Sequence, residues 1–210
     1  MIHLDFTLQQ VWNYASPALG AVAGKITDNV IKKIKERKEQ KKADPVADAI
    51  KHNVRIDYKL DSLINDYGCD RITIMQFHNG GNFYPSGQSI TKFSVMYEST
   101  KSGIQTVREK YQNIPVSIFS KSINHVVDND LMTIPDIKSL TLEEADRLGI
   151  SKGLDDKSLY LFAIKSIDGK LIGLITFSYV KKRKYLDEDK IKELQLIAAS
   201  FGSELNFKKC

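Results

Sequence analysis

The sequence predicts an α+β domain, an antiparallel sheet flanked by helices and entered through an amino-terminal helical arm. Three observations carry this. Two β-rich runs, Leu159–Lys165 and Leu171–Tyr179, are joined through Ile167-Asp-Gly-Lys170, a hairpin signal. A helical run, Asp187–Phe207, follows them with Asp187, Glu188 and Asp189 in its first turn, where the helix dipole favours negative charge. The earlier strand-like and helix-like segments come in groups and not in strict βαβ alternation, which argues against a doubly wound parallel sheet.

Residues 1–45 read as the arm and 46–210 as the domain. No charge falls between Asp5 and Lys25, and small residues (Ala18, Gly20, Ala21, Ala23, Gly24) close that stretch. Charge-free then basic is the order of a membrane anchor with its loop in the cytoplasm. Gln9, Gln10, Asn13, Ser16 and Pro17 are too polar for a spanning helix of about 20 apolar residues. A secretory signal would place its basic residues first. Three readings stay open: an interfacial membrane contact through residues 6–42, packing on partner subunits, or a helix folded back on its own domain. The residues expected to make the arm's contacts are Trp12, Tyr14, Leu19 and Val22. Ile26, Val30 and Ile34 then recur at helical spacing, and beyond them a Lys/Glu-rich run suits a solvated helix. Asp44-Pro45 marks the boundary, since Pro suits a first helical turn.

Within the domain, Val46, Ile50, Ile56, Leu60, Leu63, Ile64 and Tyr67 follow helical spacing up to a C-cap glycine, Gly68. Arg71–His78 reads as a strand, His78–Gly87 as a loop with three Gly and one Pro, and Thr91–Tyr97 as a second strand. Short helices are expected over Thr106–Val127, broken at Pro115, and a strand over Leu131–Ile137. Thr141-Leu-Glu-Glu144 has capping-box spacing for a short helix ending near Gly149. Asp168-Gly169 predicts a tight turn with both residues at positive φ. The buried stripe of the last helix should be Ile191, Leu194, Ile197, Ala198, Phe201 and Leu205.

Composition bounds the chemistry. With 210 residues, 42% hydrophobic, the chain can bury one good core. The net charge of +5 comes from 31 basic and 26 acidic residues, and Ile31–Lys42 alone holds seven of the former and two of the latter. The rest of the chain is balanced, so nucleic acid is not an expected partner. Cys69 and Cys210 make no disulfide framework and point to a reducing compartment. His3, His52, His78 and His125 have no second ligand at metal spacing, so no metal is expected. Asp70 beside Cys69 does nothing to favour a thiolate. No catalytic set and no cofactor motif is present. The candidate contact residues are Phe77, His78, Asn79, Gly80, Gly81, Phe83, Tyr84 and Lys92. A small ligand would sit near Phe77, His78, Tyr84 and Lys92, or Phe83 and Tyr84 would protrude into a partner. The plainer reading of His78 is a ring whose hydrogen bonds shape its loop.

The order helix, two strands, helical excursion, strand, helix, hairpin, long helix resembles a GAF domain, the sensory relative of the PAS fold. The likeness covers residues 46–207 and is strongest in LYLFAIKSIDGKLIGLITFSYVKKRKYLDEDKIKELQLIAASFGSEL. It implies a sheet with the first and last helices on one face and a ligand pocket under helical loops on the other. The cyclic-nucleotide signature, the chromophore-binding cysteine context and the several cysteines of the family's methionine sulfoxide reductases are absent. Gln76–Gly81 and Lys92–Glu98 also resemble phage-encoded proteins carrying a Gln-Phe-His-Asn-Gly-Gly stretch, which implies a phage or mobile-element context. The expectation is therefore a non-enzymatic assembly module, intracellular or in a virion, contacting other protein subunits through its arm. The alternative is a small-ligand sensor, with a peripheral-membrane association open to either.

Overall fold

Polar and apolar residues alternate along the strands, yet both sides of the sheet they form are covered. The computed structural model describes residues 29–36, 44–148 and 155–205. The chain divides into two units, Met1–Asn53 and Val54–Cys210. In the first, helix α1 is described over residues 29–36, and Val30 and Ile34 are half exposed. Helix α2, Pro45–Tyr67, opens at the boundary proline, where the Asp44 carboxylate accepts from the Val46 and Ala47 N–H groups at 2.9 and 3.1 Å. Ile26, the arm contacts Trp12, Tyr14, Leu19 and Val22, and Cys210 lie outside the described residues.

The second unit holds a six-stranded antiparallel sheet in the order β3-β2-β1-β6-β5-β4. The strands are β1 Arg71–Asn82, β2 Ser89–Thr100, β3 Ile114–Pro115, β4 Leu131–Ile134, β5 Ser158–Lys165 and β6 Leu171–Tyr179. Helix α3, Ser120–Asn129, and helix α4, Leu142–Arg147, lie between β3 and β5, and helix α5, Glu188–Leu205, follows β6. The α+β reading holds, and so does the order of elements except that Ile114–Pro115 pair with β2 as a short strand inside the expected helical excursion; the strand expected over Leu131–Ile137 ends at Ile134.

One face carries the dense core. Ile72 and Ile74 of β1, Tyr160, Phe162 and Ile164 of β5, and Ile175, Phe177 and Tyr179 of β6 meet Ile56, Leu60 and Ile64 of α2 and Leu194, Ala198 and Phe201 of α5. Phe162 and Phe177 pack edge to face at 5.9 Å. Lys59 joins the two helices, with Nζ 2.6 Å from Glu204 and 4.1 Å above the Phe201 ring. The expected stripe of α5 is largely as read, with Ile191, Ile197 and Leu205 at its half-buried margin. Val46 and Ile50 of α2, by contrast, are exposed, and burial begins at Ile56.

Turn chemistry accounts for the other departures. The 141–144 capping box closes as expected: Thr141 Oγ1 accepts from the Glu144 N–H, and the Glu144 carboxylate from the Thr141 N–H. Between β5 and β6, Gly169 alone has positive φ, at 79°. The Gly169 N–H donates to the Ser166 carbonyl at 2.9 Å, so the connection is a type I turn closed by a glycine bulge and not a two-residue hairpin. Strand β1 continues through the expected loop to Asn82, because Gly80 and Gly81 form a bulge against β2.

Gly202 is needed for close approach of α5 to β5, since a Cβ there would come within 1.9 Å of the Lys165 carbonyl oxygen. Gly202→Ala should therefore lower the unfolding free energy by about 2 kcal/mol, read from urea melts. Leu196→Ala, at an exposed position of the same helix, should change it by less than about 0.5 kcal/mol.

Candidate functional site

The sheet's second face grades from polar to apolar along the β1–β6 pair. Three successive rungs pointing to this side are Arg71 opposite Ser178, Thr73 opposite Thr176, and Met75 opposite Leu174. Strands β2 and β5 extend the apolar end with Phe93, Val95, Leu159 and Leu161. The covering chain adds Val107, Tyr111, Phe119 and Ile123, and Met132 of β4 and Leu148 complete the wall. These residues line a partly open cavity of about 110 Å³.

The polar end is organised by Arg71. Its Nη2 donates to both carboxylate oxygens of Asp156, at 2.6 and 2.8 Å, and its Nη1 donates to the Gln105 carbonyl at 2.9 Å. Arg71 and Asp156 are both buried. Ser178 Oγ donates to the same carboxylate at 3.4 Å, and the hydroxyls of Thr73 and Thr176 lie 2.6 Å apart. Two charges are thus taken out of water as a bidentate pair, the arrangement in which a buried ion pair is tolerated. Burial pushes the Asp156 carboxyl above its ordinary value, against the opposing pull of the Arg71 guanidinium and its hydrogen bonds. Burial likewise raises the Tyr111 phenol, with the Asp156 charge adding to it.

None of the eight candidate contact residues lines this cavity. Phe77 packs beside it as a half-buried neighbour of the same apolar cluster. The others belong to the outer half of the β1–β2 hairpin, beyond Gln76, the last β1 residue paired with β6. There His78 Nε2 lies 3.0 Å from Ser94 Oγ, and that oxygen accepts from the Asn113 N–H at 2.9 Å, so Ser94 links the ring on β1 to the chain before β3. Asn79 Oδ1 accepts from the Gly81 N–H at 2.8 Å in an Asx turn. The Lys92 stem lies over Gly80, where a Cβ would come within 2.7 Å of its methylenes. At the tip Phe83 is half exposed and Tyr84 is 97% exposed. The sequence predicts a pocket near Phe77, His78, Tyr84 and Lys92; the cavity lies instead toward the opposite end of the hairpin, where β1 pairs with both β2 and β6.

The cavity residues escaped sequence reading because Arg71, Thr73, Thr176 and Ser178 alternate with core positions, the pattern of a solvent-facing side. The available signal was the apolar content of the excursion after β2, which needed a surface to cover. Cys69 lies in the dense core of the other face, and burial pushes its thiol up to about 12. A second hollow of about 340 Å³ between β5, the 166–167 turn and α5 is bordered by the Asp130–Lys165 ion pair and by Ile167, which is 88% exposed. Among the described residues no three His, Cys, Asp or Glu side chains gather as metal ligands, and no helix is long and apolar enough to cross a membrane.

No protein-family model matches the chain, and no curated protein does. Solved structures do match. The phycocyanobilin-bound GAF domain from a cyanobacterial phytochrome is similar at 18% identity over 87% of this chain and 97% of its own, with a TM-score of 0.56. The blue-light-absorbing form of the Thermosynechococcus elongatus PixJ GAF domain is similar at 17% identity, over 76% and 88%, with a TM-score of 0.53. A GAF-domain region of a Geobacter sulfurreducens protein is similar at 16% identity, over 75% and 94%, with a TM-score of 0.52. These likenesses show a GAF fold. They lend nothing to the phage resemblance.

Arg71→Met leaves the Asp156 carboxylate buried without its partner and should cost about 3–5 kcal/mol at pH 7. Because an acid with a raised native pKa destabilises the fold only while ionised, the deficit relative to the unsubstituted chain should shrink as the pH falls toward 5. Adding Asp156→Leu should recover most of it. Urea melts at pH 7 and pH 5 read both effects; a pH-independent deficit contradicts the assignment.

Proposed function

We propose that this chain is a non-enzymatic, sensory-type module whose cavity takes up a small ligand. The observation that carries this is the partly open hollow on the second face, with apolar walls ending in a ladder of buried polar side chains. A concave, mainly apolar site with a few converging polar groups is the usual form of a small-molecule site. The named structural neighbours support it only through their fold, which does not by itself fix a function. The cavity's carboxylate is engaged by Arg71, the Thr73 and Thr176 hydroxyls by each other, Ser178 by Asp156 and Ser122 by the Leu148 carbonyl, so among these groups the one carboxylate that a hydroxyl meets is already paired with a guanidinium. That supports a binding and not a catalytic role.

The phytochrome neighbour is described as phycocyanobilin-bound. A four-ring bilin does not suit this site. The cavity is smaller than the roughly 150 Å³ apolar cavity that holds one benzene, and Cys69, the only cysteine of the domain before position 210, faces the other core.

A second reading is favoured by a separate observation. Phe83 and Tyr84 stand at the tip of a two-stranded ribbon beyond the reach of β6. Exposed aromatics on such a projection suit docking to another protein subunit. The assembly role expected from the arm rests on this ribbon among the described residues, and a phage context rests on the Gln76–Gly81 sequence likeness alone.

Thermal melts against a panel of small neutral metabolites test the main reading. A ligand at 100 times its Kd should add about 2.7 kcal/mol of stability. Val95→Phe, which places a ring in the hollow, should keep the fold and remove that gain. A panel that leaves the unsubstituted chain's melting unchanged refutes a ligand-binding cavity.

A further inference from the structure

The cavity's own dimensions and hydrogen-bonding inventory narrow what can enter it, given the reading that it is a ligand site. Size comes first. About 110 Å³ stands below the roughly 150 Å³ that accommodates benzene, so the occupant is no larger than a single ring, and the wall has to yield to admit one. Met75 and Met132 line the space, and unbranched, polarizable methionine side chains yield readily to an irregular guest. Aromatic walls are present too: Phe93 meets Phe119 edge to face at 5.6 Å, and Tyr111 meets Phe119 at 6.1 Å.

Charge comes second. Arg71 and Asp156 neutralise each other through two hydrogen bonds. A cationic or anionic guest would add an unpaired charge to a buried site, which carries a large desolvation cost. The occupant is therefore neutral.

Hydrogen bonding comes third. The Thr73 and Thr176 hydroxyls sit side by side at 2.6 Å, on the rung between the ion pair and the Met75–Leu174 rung. In that dyad one hydroxyl hydrogen is used between the two oxygens. The other hydrogen remains to donate, and the oxygens keep lone pairs to accept. A hydroxyl at the edge of a ring can satisfy both, donating to one threonine and accepting from the other.

The geometry points to a neutral monocyclic phenol as the ligand class, its ring among Met75, Phe93, Met132 and Leu174 and its hydroxyl on the Thr73–Thr176 dyad. Three probes of nearly equal size separate the elements: phenol, toluene and benzoate. The measurement is titration of methyl-labelled methionine in the full chain by NMR. Met75 and Met132 line the cavity, whereas Met96 does not and is 40% exposed.

Phenol should shift the Met75 and Met132 methyls without moving Met96, and benzoate should leave all three unchanged. Thr176→Val keeps a β-branched shape in the strand and should weaken phenol by about tenfold, the worth of one hydrogen bond, while toluene binds the variant no worse. Thr73→Val serves as the second variant with the same expectation. Toluene binding without phenol, or phenol binding indifferent to both valines, overturns the dyad as the recognition element and leaves the cavity as a ligand site. Benzoate binding at Met75 and Met132 overturns the neutral class. Silence from phenol and toluene while another panel compound stabilises the chain overturns the phenol assignment alone; silence from every compound removes the ligand-binding reading with it.

Discussion

Arg71 holds the second face of this sheet together. From the first position of β1 its guanidinium reaches the Gln105 carbonyl in one covering segment and the Asp156 carboxylate just before β5. One side chain thus fixes two stretches of chain far apart in sequence to the same strand. The covering segment is tied a second time where the Glu98 carboxylate of β2 accepts from the Val107 and Arg108 N–H groups at 2.7 and 2.9 Å. With its first residues fastened by charge-assisted hydrogen bonds, the segment can span a hollow without collapsing into it. A void in an apolar core costs stability because its lining loses contact partners. Here polar anchors at the rim act together with the apolar packing of Phe119 and Ile123 on the sheet to hold the cover in place.

The two faces are built on different physics. The α2–α5 face is packed to contact, with backbone approaches that admit only glycine: Gly202 against the Lys165 carbonyl and Gly173 of β6 against the Met75 carbonyl, where a Cβ would come within 2.3 Å. The buried Asp70 carboxylate stitches that face's strand ends, accepting from the Val180 and Lys181 N–H groups at 2.8 Å each. A stiff layer of this kind keeps β1 and β6 in register, and the register in turn sets the rungs of the opposite face. The cavity's shape therefore depends on residues that never touch it.

What could be read from the sequence follows the range of the forces involved. Local signals were legible: the Asp44-Pro45 helix start, the Thr141–Glu144 capping box, the acidic start of α5, and the Asp168-Gly169 turn, though its type was not. The dense core was legible because helical and strand periodicities are written in one-dimensional spacing. The cavity was not. Thr73 and Thr176 look like ordinary strand residues until the β1–β6 register sets them face to face, and nothing near Asp156 announces a partner 85 positions away. His78 shows the converse: a histidine beside glycines looks functional in sequence, and its ring is engaged with Ser94. Composition draws attention to loops, whereas pairing at long range makes the site.

The same hairpin serves both surfaces, and its two halves differ physically. Residues 71–76 of β1 pair on both sides, with β2 and with β6, while Phe77–Asn82 pair with β2 alone. The inner part of β1 has a ladder on each edge and is buried. Beyond Gln76 β1 keeps the β2 ladder alone, the only further pairing among the described residues is that of Lys92 and Phe93 with β3, and exposure rises toward the tip, so the outermost hydrogen bonds open at lower free energy. The Gly80–Gly81 bulge adds local twist where that support ends. A ligand of the proposed kind, held against the inner half, would meet a pre-formed wall and pay little for ordering it. A partner meeting Phe83 and Tyr84 meets a ribbon that can adjust to it. One continuous strand pair thus supplies a rigid recognition surface and an adaptable one, and the point where β6 ends divides them.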